Sequence, residues 1–398
     1  MMSWTIAIRV LVALAVVVAA AWMLMASYRP HEVPAPAGVV ITPLRTITTI
    51  EARFLLLLSG VSHVPISHAV DLYRVRYSAQ TQRGLLKDLS GLLALPHDGA
   101  AKRVVSFQHG TSTTRSAVPS APDGTGIAAS IAFGGNGYAV VVPDYPGLGS
   151  SAGRHPYYVA EAIAPSVAAL IDVAQNLKGV SRLPAFLAGF SQGGWASLAA
   201  VRHIEGQGGH VLGSAQVAGA YDLRNISLPE AMKGRSRSSS LYLAYAAWGH
   251  ADFYGHPLGS VLNAHHARLA EELFAGASPD EIVQRLPSNP RRMFNDAFLQ
   301  AFDLGGEHWF LETFKENGLV EADVRAPLRL YFGSRDVDVS PRESIALAEG
   351  MRAQGKDVEA ITVGPLDHDQ SMLAAAPLIL KWLLELEEQE RETGIKPH

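Results

Sequence analysis

The sequence predicts an α/β fold in which a mostly parallel, doubly wound sheet is interrupted by an inserted helical subdomain. Short apolar runs alternate with helical stretches over residues 103–219, and this alternation resumes over residues 328–363. Near-continuous apolar strands that alternate with helices are typical of a parallel sheet covered on both faces. Residues 221–325 contain no strand pattern, which indicates a block of helices inserted into the sheet.

Composition bounds both the size of the core and the classes of partner. A chain of 398 residues with 48% hydrophobic content can bury one large core together with an inserted subdomain. The net charge of -4 and the lack of a basic stripe give no reason to expect nucleic acid. Cysteine is absent, which excludes disulfides, a thiolate metal site and a cysteine nucleophile.

The N-terminus is apolar, and residues 10–25 carry no charge. Residues 1–28 are therefore predicted to be a signal anchor or a signal peptide, with a buried N-terminal helix as the alternative. The segment is long enough to span a bilayer if residues 4–8 are included and Arg9 snorkels. We expect export, with the chain either anchored in the membrane on its extracytoplasmic side or, if the segment is cleaved, secreted or periplasmic.

The next segment, residues 29–60, is predicted to be a linker followed by a packing helix. Residues 29–43 are rich in proline, which is typical of a tether. Residues 54–58, Phe-Leu-Leu-Leu-Leu, are too few to cross a bilayer and favour a helix packed on the core.

Residues 61–220 are predicted to form the first part of the α/β core. Residues 70–77 alternate apolar and polar side chains, as a half-buried strand does, and we expect them to form an antiparallel edge with residues 92–96. Strands at residues 103–107 and 138–143 follow, and then a helix over residues 159–177. Residues 221–325 are predicted to be a helical lid, residues 326–390 the second part of the core, and residues 391–398 a tail.

Ser191 lies in the stretch Ala-Gly-Phe-Ser-Gln-Gly-Gly of residues 188–194. An apolar strand precedes this stretch and an Ala/Leu-rich helix follows it, which is the context that a nucleophile elbow requires. Gly189 and Gly193 would let the strand and the helix approach closely, because neither carries a Cβ. We therefore predict Ser191 as a nucleophile; the alternative is an ordinary strand-to-helix turn.

A serine nucleophile requires a base and an acid that orients the base. Asp336 and His368 both follow late strands, so the topology places them at the carboxyl edge of the sheet with Ser191. The chain order Ser191, Asp336, His368 is the one found on this type of sheet. Asp338 is a competing acid and Asp222 a weaker one, while Asp367 and Asp369 could raise the pKa of the imidazole.

An oxyanion requires two preorganised hydrogen-bond donors. The sequence predicts that one is the backbone N–H of Gln192, at a helix N-terminus, and that the other is the N–H of Thr111 in the turn after an early strand. Gly110 would let that turn curl towards the substrate. We expect the remaining residues of these loops to be structural: His109, Asp144 and Gly147.

Four motifs together resemble the α/β-hydrolase superfamily and, more narrowly, its secretory lipase and bacterial lipase-like esterase branch. They are Gln-His-Gly-Thr at residues 108–111, Val-Pro-Asp-Tyr-Pro-Gly-Leu-Gly at 142–149, Gly-Phe-Ser-Gln-Gly-Gly at 189–194 and Gly-Ser-Arg-Asp at 333–336. The resemblance runs from about residue 70 to 385. It implies an α/β-hydrolase fold, a helical lid between the sixth and seventh strands, and hydrolysis of carboxylic esters.

The expected function is that of a serine esterase or lipase that acts on apolar acyl esters without a metal or a cofactor. Its partners would be a small-molecule or lipid ester and, through the N-terminal segment, a membrane. The aromatic residues of the lid are expected to be mostly core, with a minority available to an acyl pocket. The same triad could serve a thioesterase, peptidase or acyltransferase, and an inactive membrane-tethered binding protein on the same fold is a rival of another class.

Overall fold

A computed structural model of the protein describes residues 29–61, 64–121 and 126–393. Its nine strands form one sheet in the order β1-β2-β3-β5-β4-β6-β7-β8-β9. The strands are β1 Val40–Ile47, β2 Val70–Thr81, β3 Gly84–Pro96, β4 Val104–Gln108, β5 Ala139–Pro143, β6 Ala185–Phe190, β7 Val211–Val217, β8 Leu328–Phe332 and β9 Val358–Thr362.

The pairing confirms the predicted α/β fold with a mostly parallel sheet. Strand β2 pairs antiparallel with both β1 and β3, and β3 pairs antiparallel with β5. From β5 through β4, β6, β7 and β8 to β9 every pair is parallel. All carboxyl ends of the parallel strands therefore meet at one edge of the sheet, where ligands bind in open α/β folds.

Helices cover both faces of the sheet and make up the insertion. They are α1 Thr49–Leu58, α2 Ile127–Gly134, α3 Ala160–Gln175, α4 Gln192–Gly206, α5 Leu228–Met232, α6 Ser239–Tyr254, α7 Ala264–Leu273, α8 Pro279–Arg285, α9 Asp296–Leu304, α10 Trp309–Glu316, α11 Arg342–Ala353 and α12 His368–Thr393. Three shorter helical turns, Leu223–Ser227, Leu258–Ser260 and Pro290–Met293, lie in the insertion.

The core has two halves, one on each face of the sheet. One half is packed by α3, α4, α11 and the insertion, and the other by α1, α2 and α12. Successive strand residues supply opposite halves: Val104 and Val141 belong to the first, and Val105 and Val140 to the second. This period of two, with every residue of β4 and β5 buried, explains why these strands are continuously apolar in sequence.

The insertion joins β7 to β8, and its described elements are helical. The resemblance implied a lid between the sixth and seventh strands. The strand numbers differ by one because β1 was not predicted. Residues 40–47, expected to belong to the linker, instead form β1 and pair antiparallel with β2. Most of β1 is exposed and its register shifts between Pro43 and Arg45, so it lacks the alternating pattern that reveals a half-buried strand.

This extra strand also corrects the predicted edge of the sheet. Residues 70–77 and 92–96 do pair antiparallel, but they belong to a longer hairpin, and β1 lies outside it. The predicted packing helix is α1, which buries Ala52 and Leu56. Leu55 is half-buried, and the remaining large apolar side chains are exposed: Ile50, Phe54, Leu57 and Leu58.

The apolar N-terminal segment, for which export was predicted, lies outside the described residues, as do residues 394–398 of the tail. Among the helices that the structure describes, none is both long and apolar enough for a bilayer span.

Candidate active site

Ser191 lies on a sharp turn between β6 and α4. Its φ of 58° and ψ of -122° are a conformation that L residues rarely adopt. A Cβ on Gly189 would lie 2.1 Å from the carbonyl oxygen of Gly193, and a Cβ on Gly193 would lie 1.9 Å from that of Gln108. Neither position accommodates a side chain. These two glycines therefore let the strand and the helix pack closely while the serine projects from the sheet edge.

Three side chains that are distant in sequence are joined by two consecutive hydrogen bonds. His368 Nε2 lies 2.9 Å from Ser191 Oγ, and His368 Nδ1 lies 2.6 Å from Asp336 Oδ2. Because a carboxylate only accepts, Nδ1 carries a proton that it donates to Asp336, and a neutral ring then leaves Nε2 to accept from the serine hydroxyl. The three residues are 6 to 8% exposed, so the arrangement is shielded from solvent while the serine remains accessible from a cavity.

The competing acids make other contacts. The second oxygen of the Asp336 carboxylate accepts from the backbone N–H groups of Asp338 and Val339, both at 2.9 Å, which fixes its orientation. The Asp338 carboxylate instead accepts from Ser236 Oγ at 2.6 Å, in the insertion. Asp222 caps a helical turn through the N–H of Asn225 at 3.0 Å. In the described part of the chain, the carboxylate that contacts His368 is therefore that of Asp336.

Two opposing effects set the pKa of His368. Burial lowers the pKa, but the hydrogen bond and the negative charge of Asp336 raise it, with smaller contributions from Asp338 and Asp369. The result is a pKa above the usual value of about 6.5. Asp367, the other expected contributor, is exposed and accepts from the N–H of Gln370.

The turn predicted to complete an oxyanion hole lies beside Ser191. A Cβ built on Gly110 would be 3.6 Å from the Cβ of Ser191, so this turn passes close to the elbow. Thr111 is held by a 2.7 Å hydrogen bond between its Oγ1 and the hydroxyl of Tyr157. Gln192 is the first residue of α4 and is fully buried; an N–H at that helical position has no acceptor within the helix.

His109, Asp144 and Gly147 support these loops. The His109 ring stacks on Tyr145 at 4.4 Å between centroids, its Nδ1 donates to the carbonyl of Gly110 at 2.7 Å, and burial lowers its pKa. Asp144 is fully buried and accepts from the hydroxyls of two serines, Ser90 and Ser120, at 2.6 Å. Gly147 has a φ of 78°, and a Cβ there would lie 2.4 Å from the backbone of Arg154.

A cavity of about 640 Å³ opens from Ser191 and His368. On one side its wall is apolar and is built mainly from α1, α2 and α12. The side chains of that wall include Leu56, Ala128, Ala129, Ala132, Phe133, Met372, Leu373, Ala376 and Leu380. The remaining lining residues include polar groups, among them Ser112, Thr113 and Arg237, and apolar side chains of the insertion, Leu241 and Val283. The cavity therefore offers both apolar and polar surface to an ester.

The aromatic residues of the insertion pack mostly into the core, as expected. Tyr245 is 1% exposed and contacts Trp248 and Phe274. Phe253 lies under the guanidinium of Arg83. Of this group, Tyr242 lines the large cavity. The insertion therefore contributes to the cavity, but much of the apolar wall comes from the opposite face of the sheet, which the sequence did not indicate.

The family model described as secretory lipase matches residues 125–391, which is more than half of the chain. The chain belongs to the secretory lipase family. It is accordingly an ester-hydrolysing enzyme, and the predicted resemblance is confirmed. No curated protein matches its sequence significantly.

Solved structures share the fold of this chain. A Legionella pneumophila protein assigned to the hydrolases superposes with a TM-score of 0.81 at 25% identity, over 90% of this chain and 100% of its own. The rice cell wall degrading esterase LipA from Xanthomonas oryzae gives 0.74 at 22%, over 90% and 100%. Candida antarctica lipase A in its closed state gives 0.66 at 14%, over 92% and 86%. At identities of 22% and 14%, the similarity to the last two structures shows a shared fold and no more.

One residue that supports the elbow was not predicted from the sequence. His155 Nδ1 lies 2.8 Å from the carbonyl of Pro146, so it is the protonated nitrogen, and Nε2 accepts from Gln192 Nε2 at 2.7 Å. Burial lowers the pKa of His155 to about 3, which keeps the ring neutral and able to accept. His155 lies in a loop without a motif, so no local signal could have revealed its contact with Gln192.

Proposed function

We propose that this secretory lipase hydrolyses esters through Ser191, His368 and Asp336. The single observation that carries the proposal is the pair of hydrogen bonds, at 2.9 and 2.6 Å, that joins the three side chains at the mouth of the cavity. His368 takes the proton of the Ser191 hydroxyl as that oxygen attacks the ester carbonyl, and then delivers it to the leaving alcohol. Asp336 holds the imidazole in the required tautomer and stabilises its charged form.

The oxyanion of the tetrahedral intermediate accepts from the backbone N–H groups of Gln192 and Thr111. The position of Gln192 at the start of α4 supports its role, because the N-terminus of a helix favours negative charge. The contact between the Gly110 turn and Ser191 supports the role of Thr111. Collapse of the intermediate leaves an acyl group on Ser191, which a water molecule activated by His368 then removes.

The acyl chain of the substrate lies along the apolar wall formed by α1, α2 and α12. Burial of a methylene group contributes about 0.8 kcal/mol, so a wall of leucine, alanine, methionine and phenylalanine side chains favours acyl chains longer than acetyl. A minority of the aromatic residues of the insertion was expected to line an acyl pocket, and Tyr242 is the one among them that lines this cavity. The substrate class is a carboxylic ester with an apolar acyl group.

Covalent labelling tests the nucleophile. A fluorophosphonate probe is expected to label the wild-type enzyme at Ser191, and Ser191→Ala is expected to lose both labelling and turnover of p-nitrophenyl butyrate while keeping its circular dichroism spectrum and Tm. Retained turnover in Ser191→Ala would contradict the assignment. Absence of labelling in the wild type would favour the rival hypothesis of an inactive binding protein on the same fold.

Acyl-length profiles test the cavity. Ala132→Trp on α2 places an indole against the apolar wall and is expected to shift the preferred p-nitrophenyl ester towards short acyl chains, with activity on the acetyl ester retained. Trp248→Leu in the insertion is the matched control and is expected to leave the profile unchanged. If Trp248→Leu changed the profile and Ala132→Trp did not, the acyl chain would bind to the insertion and not to the wall that includes α2. Thioester and peptide substrates in the same assay distinguish the alternative activities.

We also infer export of the chain. The family is described as secretory, and the apolar N-terminus has the composition of a targeting segment. Fractionation of cells that express the full chain should place it outside the cytoplasm. The size of the exported protein, measured by mass spectrometry, separates a retained anchor from a cleaved signal.

A further inference from the structure

A second cluster of chemically active side chains lies at the opposite edge of the sheet from Ser191. It consists of His31 in the N-terminal arm, Asp71 at the start of β2, and His97 just after β3. The cavity in front of it, about 340 Å³, is also lined by Ala101 and residues 178–180, which lead into β4 and β6. These lie at the amino ends of the parallel strands, whereas Ser191 follows the carboxyl end of β6.

The three side chains converge on one point. His31 Nδ1 lies 3.0 Å from Asp71 Oδ2, and His97 Nδ1 lies 2.8 Å from Asp71 Oδ1. The two imidazole rings lie side by side with centroids 4.3 Å apart. One ligand atom from each residue lies within 4.8 Å of the other two. Two imidazoles and a carboxylate are a donor set that zinc accepts.

Asp71 is a buried anion that other groups already orient. Its carboxylate is 2% exposed and accepts from Thr46 Oγ1 at 2.6 Å and, more weakly, from the hydroxyl of Tyr73 at 3.3 Å. Burial raises the pKa of Asp71, but the hydrogen bonds from Thr46 and His97 outweigh this effect, so its pKa lies below the usual value. In the described part of the chain, the ion-pair partners of this carboxylate are His31 and His97, which carry a positive charge only when protonated, so a bound cation would compensate the charge when the rings are neutral.

We infer that His31, Asp71 and His97 form a binding site for a divalent transition-metal cation of the zinc type. At bond lengths of about 2.0–2.2 Å, two ligands of a tetrahedral zinc ion lie roughly 3.3 Å apart. The observed separations of 3.0 and 2.8 Å are shorter than this and run to different oxygens of the Asp71 carboxylate, and the ligand atoms of the three residues all lie within 4.8 Å of one another. A cation would therefore separate each imidazole from the carboxylate slightly and draw the two rings together. Each ring then carries its proton on Nε2 and leaves Nδ1 for the metal. Water, or the Glu32 carboxylate that also lines the cavity, completes the coordination.

The metal has a structural role. It joins the N-terminal arm, through His31, to the hairpin of β2 and β3, through Asp71 and His97. The arm follows directly from the apolar N-terminus, so the cation fixes the direction in which the chain leaves the sheet. The site is separate from the triad, so the hydrolysis proposed above does not depend on it.

Zinc binding to the full-length protein tests this inference. After treatment with EDTA and removal of the chelator, titration calorimetry with zinc chloride is expected to show saturable binding of one zinc ion per chain and a rise in Tm. His31→Ala and His97→Ala are each expected to weaken binding by at least about tenfold, because even the outer partners of metal ligands contribute 10- to 100-fold. His31 is 63% exposed, so its replacement should leave the fold intact.

The neighbouring pair His265 and His266 on α7 supplies the control, since their rings lie 4.8 Å apart at the surface. His265→Ala is expected to bind zinc as the wild type does. All three variants should keep wild-type activity on p-nitrophenyl butyrate, which reports that they are folded. Absence of saturable binding to the wild type would overturn the site, as would unchanged binding in both His31→Ala and His97→Ala.

Discussion

Ser191 has a backbone conformation that only its surroundings can hold. A non-glycine residue in a sparsely populated region costs on the order of 1–3 kcal/mol. The carbonyl of Val217 accepts from the Ser191 N–H at 2.8 Å, and the glycines on either side allow β4, β6 and α4 to close around the turn. The strain is therefore maintained by close packing that no side chain interrupts.

Gly193→Ala tests this packing. Its Cβ would lie 1.9 Å from the carbonyl oxygen of Gln108, so we expect a loss of about 3 kcal/mol in the free energy of unfolding and loss of esterase activity. Gly206, at the other end of α4, has open space around the same position. Gly206→Ala is expected to raise the free energy of unfolding by about 0.5–1 kcal/mol with activity unchanged. Urea denaturation of both variants makes the comparison, and a stable, active Gly193→Ala would refute the packing argument.

The two neighbouring aspartates should differ sharply in their effect on catalysis. Asp336→Asn removes the carboxylate that orients His368, so we expect kcat to fall by about 10⁴-fold. Asp338→Asn removes a carboxylate that bonds to the insertion, and kcat should stay close to that of the wild type. If Asp338→Asn were the more damaging substitution, Asp336 would not be the acid.

The pH profile of kcat/KM follows from the pKa of His368. The base must be neutral, and Asp336 raises its pKa above the usual value of about 6.5. Activity should therefore fall as the pH drops below that raised pKa, so that the acid limb lies above 6.5. Removal of the negative charge in Asp336→Asn should move the limb to lower pH. A limb at or below 6.5 in the wild type would contradict this account.

At the scale of elements, a buried carboxylate joins the insertion to the core. Glu343, in the first turn of α11, accepts from the backbone N–H groups of Tyr221 and Asp222 at 2.8 and 2.7 Å and contacts the hydroxyl of Ser227. Burial raises its pKa to about 7. Glu343 therefore fixes the start of the insertion, and the ionisation of its carboxylate influences the stability of the fold.

Glu343→Gln and Glu343→Ala separate the hydrogen bonds from the charge. Because the folded-state pKa is raised, this group stabilises the fold fully below about pH 4.5, and that contribution, about 3 kcal/mol, is lost as the pH rises through about 7. Glu343→Gln keeps the acceptor and should lack this pH dependence. Glu343→Ala leaves three buried donors unpaired and should cost about 3 kcal/mol or more. Urea denaturation across pH tests both, and parallel curves for wild type and Glu343→Gln would be inconsistent with a raised pKa.

The accuracy of the predicted elements depended on burial. Strands β4 and β5 are buried at every residue, so their apolar runs were evident in the sequence. Strand β1 is mostly exposed and is held by pairing with β2, so its own residues gave no pattern. The apolar residues 54–58 correctly indicated a helix, yet Phe54, Leu57 and Leu58 are exposed, because an apolar run alone does not reveal which side faces the core.

On the scale of the whole molecule, Arg103 joins the start of β4, in the middle of the sheet, to the last helix. Its side chain is 1% exposed and pairs with Glu387 and Glu390 of α12. Tyr138 donates to the same Glu387 at 2.8 Å. Since α12 begins with His368, this anchor near its other end helps to set the direction of the helix that carries the base.

Arg103→Met is expected to lower the free energy of unfolding by about 3 kcal/mol, because it leaves two largely buried carboxylates without their partner. The exposed pair Lys381 and Glu385 on the same helix provides the control. Lys381→Met should change stability by no measurable amount, since exposed pairs contribute little. Equal effects of the two substitutions in urea denaturation would show that burial does not determine the strength of the Arg103 pair.

The sequence by itself determined the α/β architecture, the inserted helices and the order of Ser191, Asp336 and His368, because strand and helix periods, small turn residues and chain order are local properties. Only the tertiary structure decided which carboxylate contacts His368, which face of the sheet supplies the apolar cavity wall, and that His31, Asp71 and His97 converge. Those outcomes depend on side chains from separate segments meeting at distances of a few ångströms, and such distances are set by packing that no local pattern encodes.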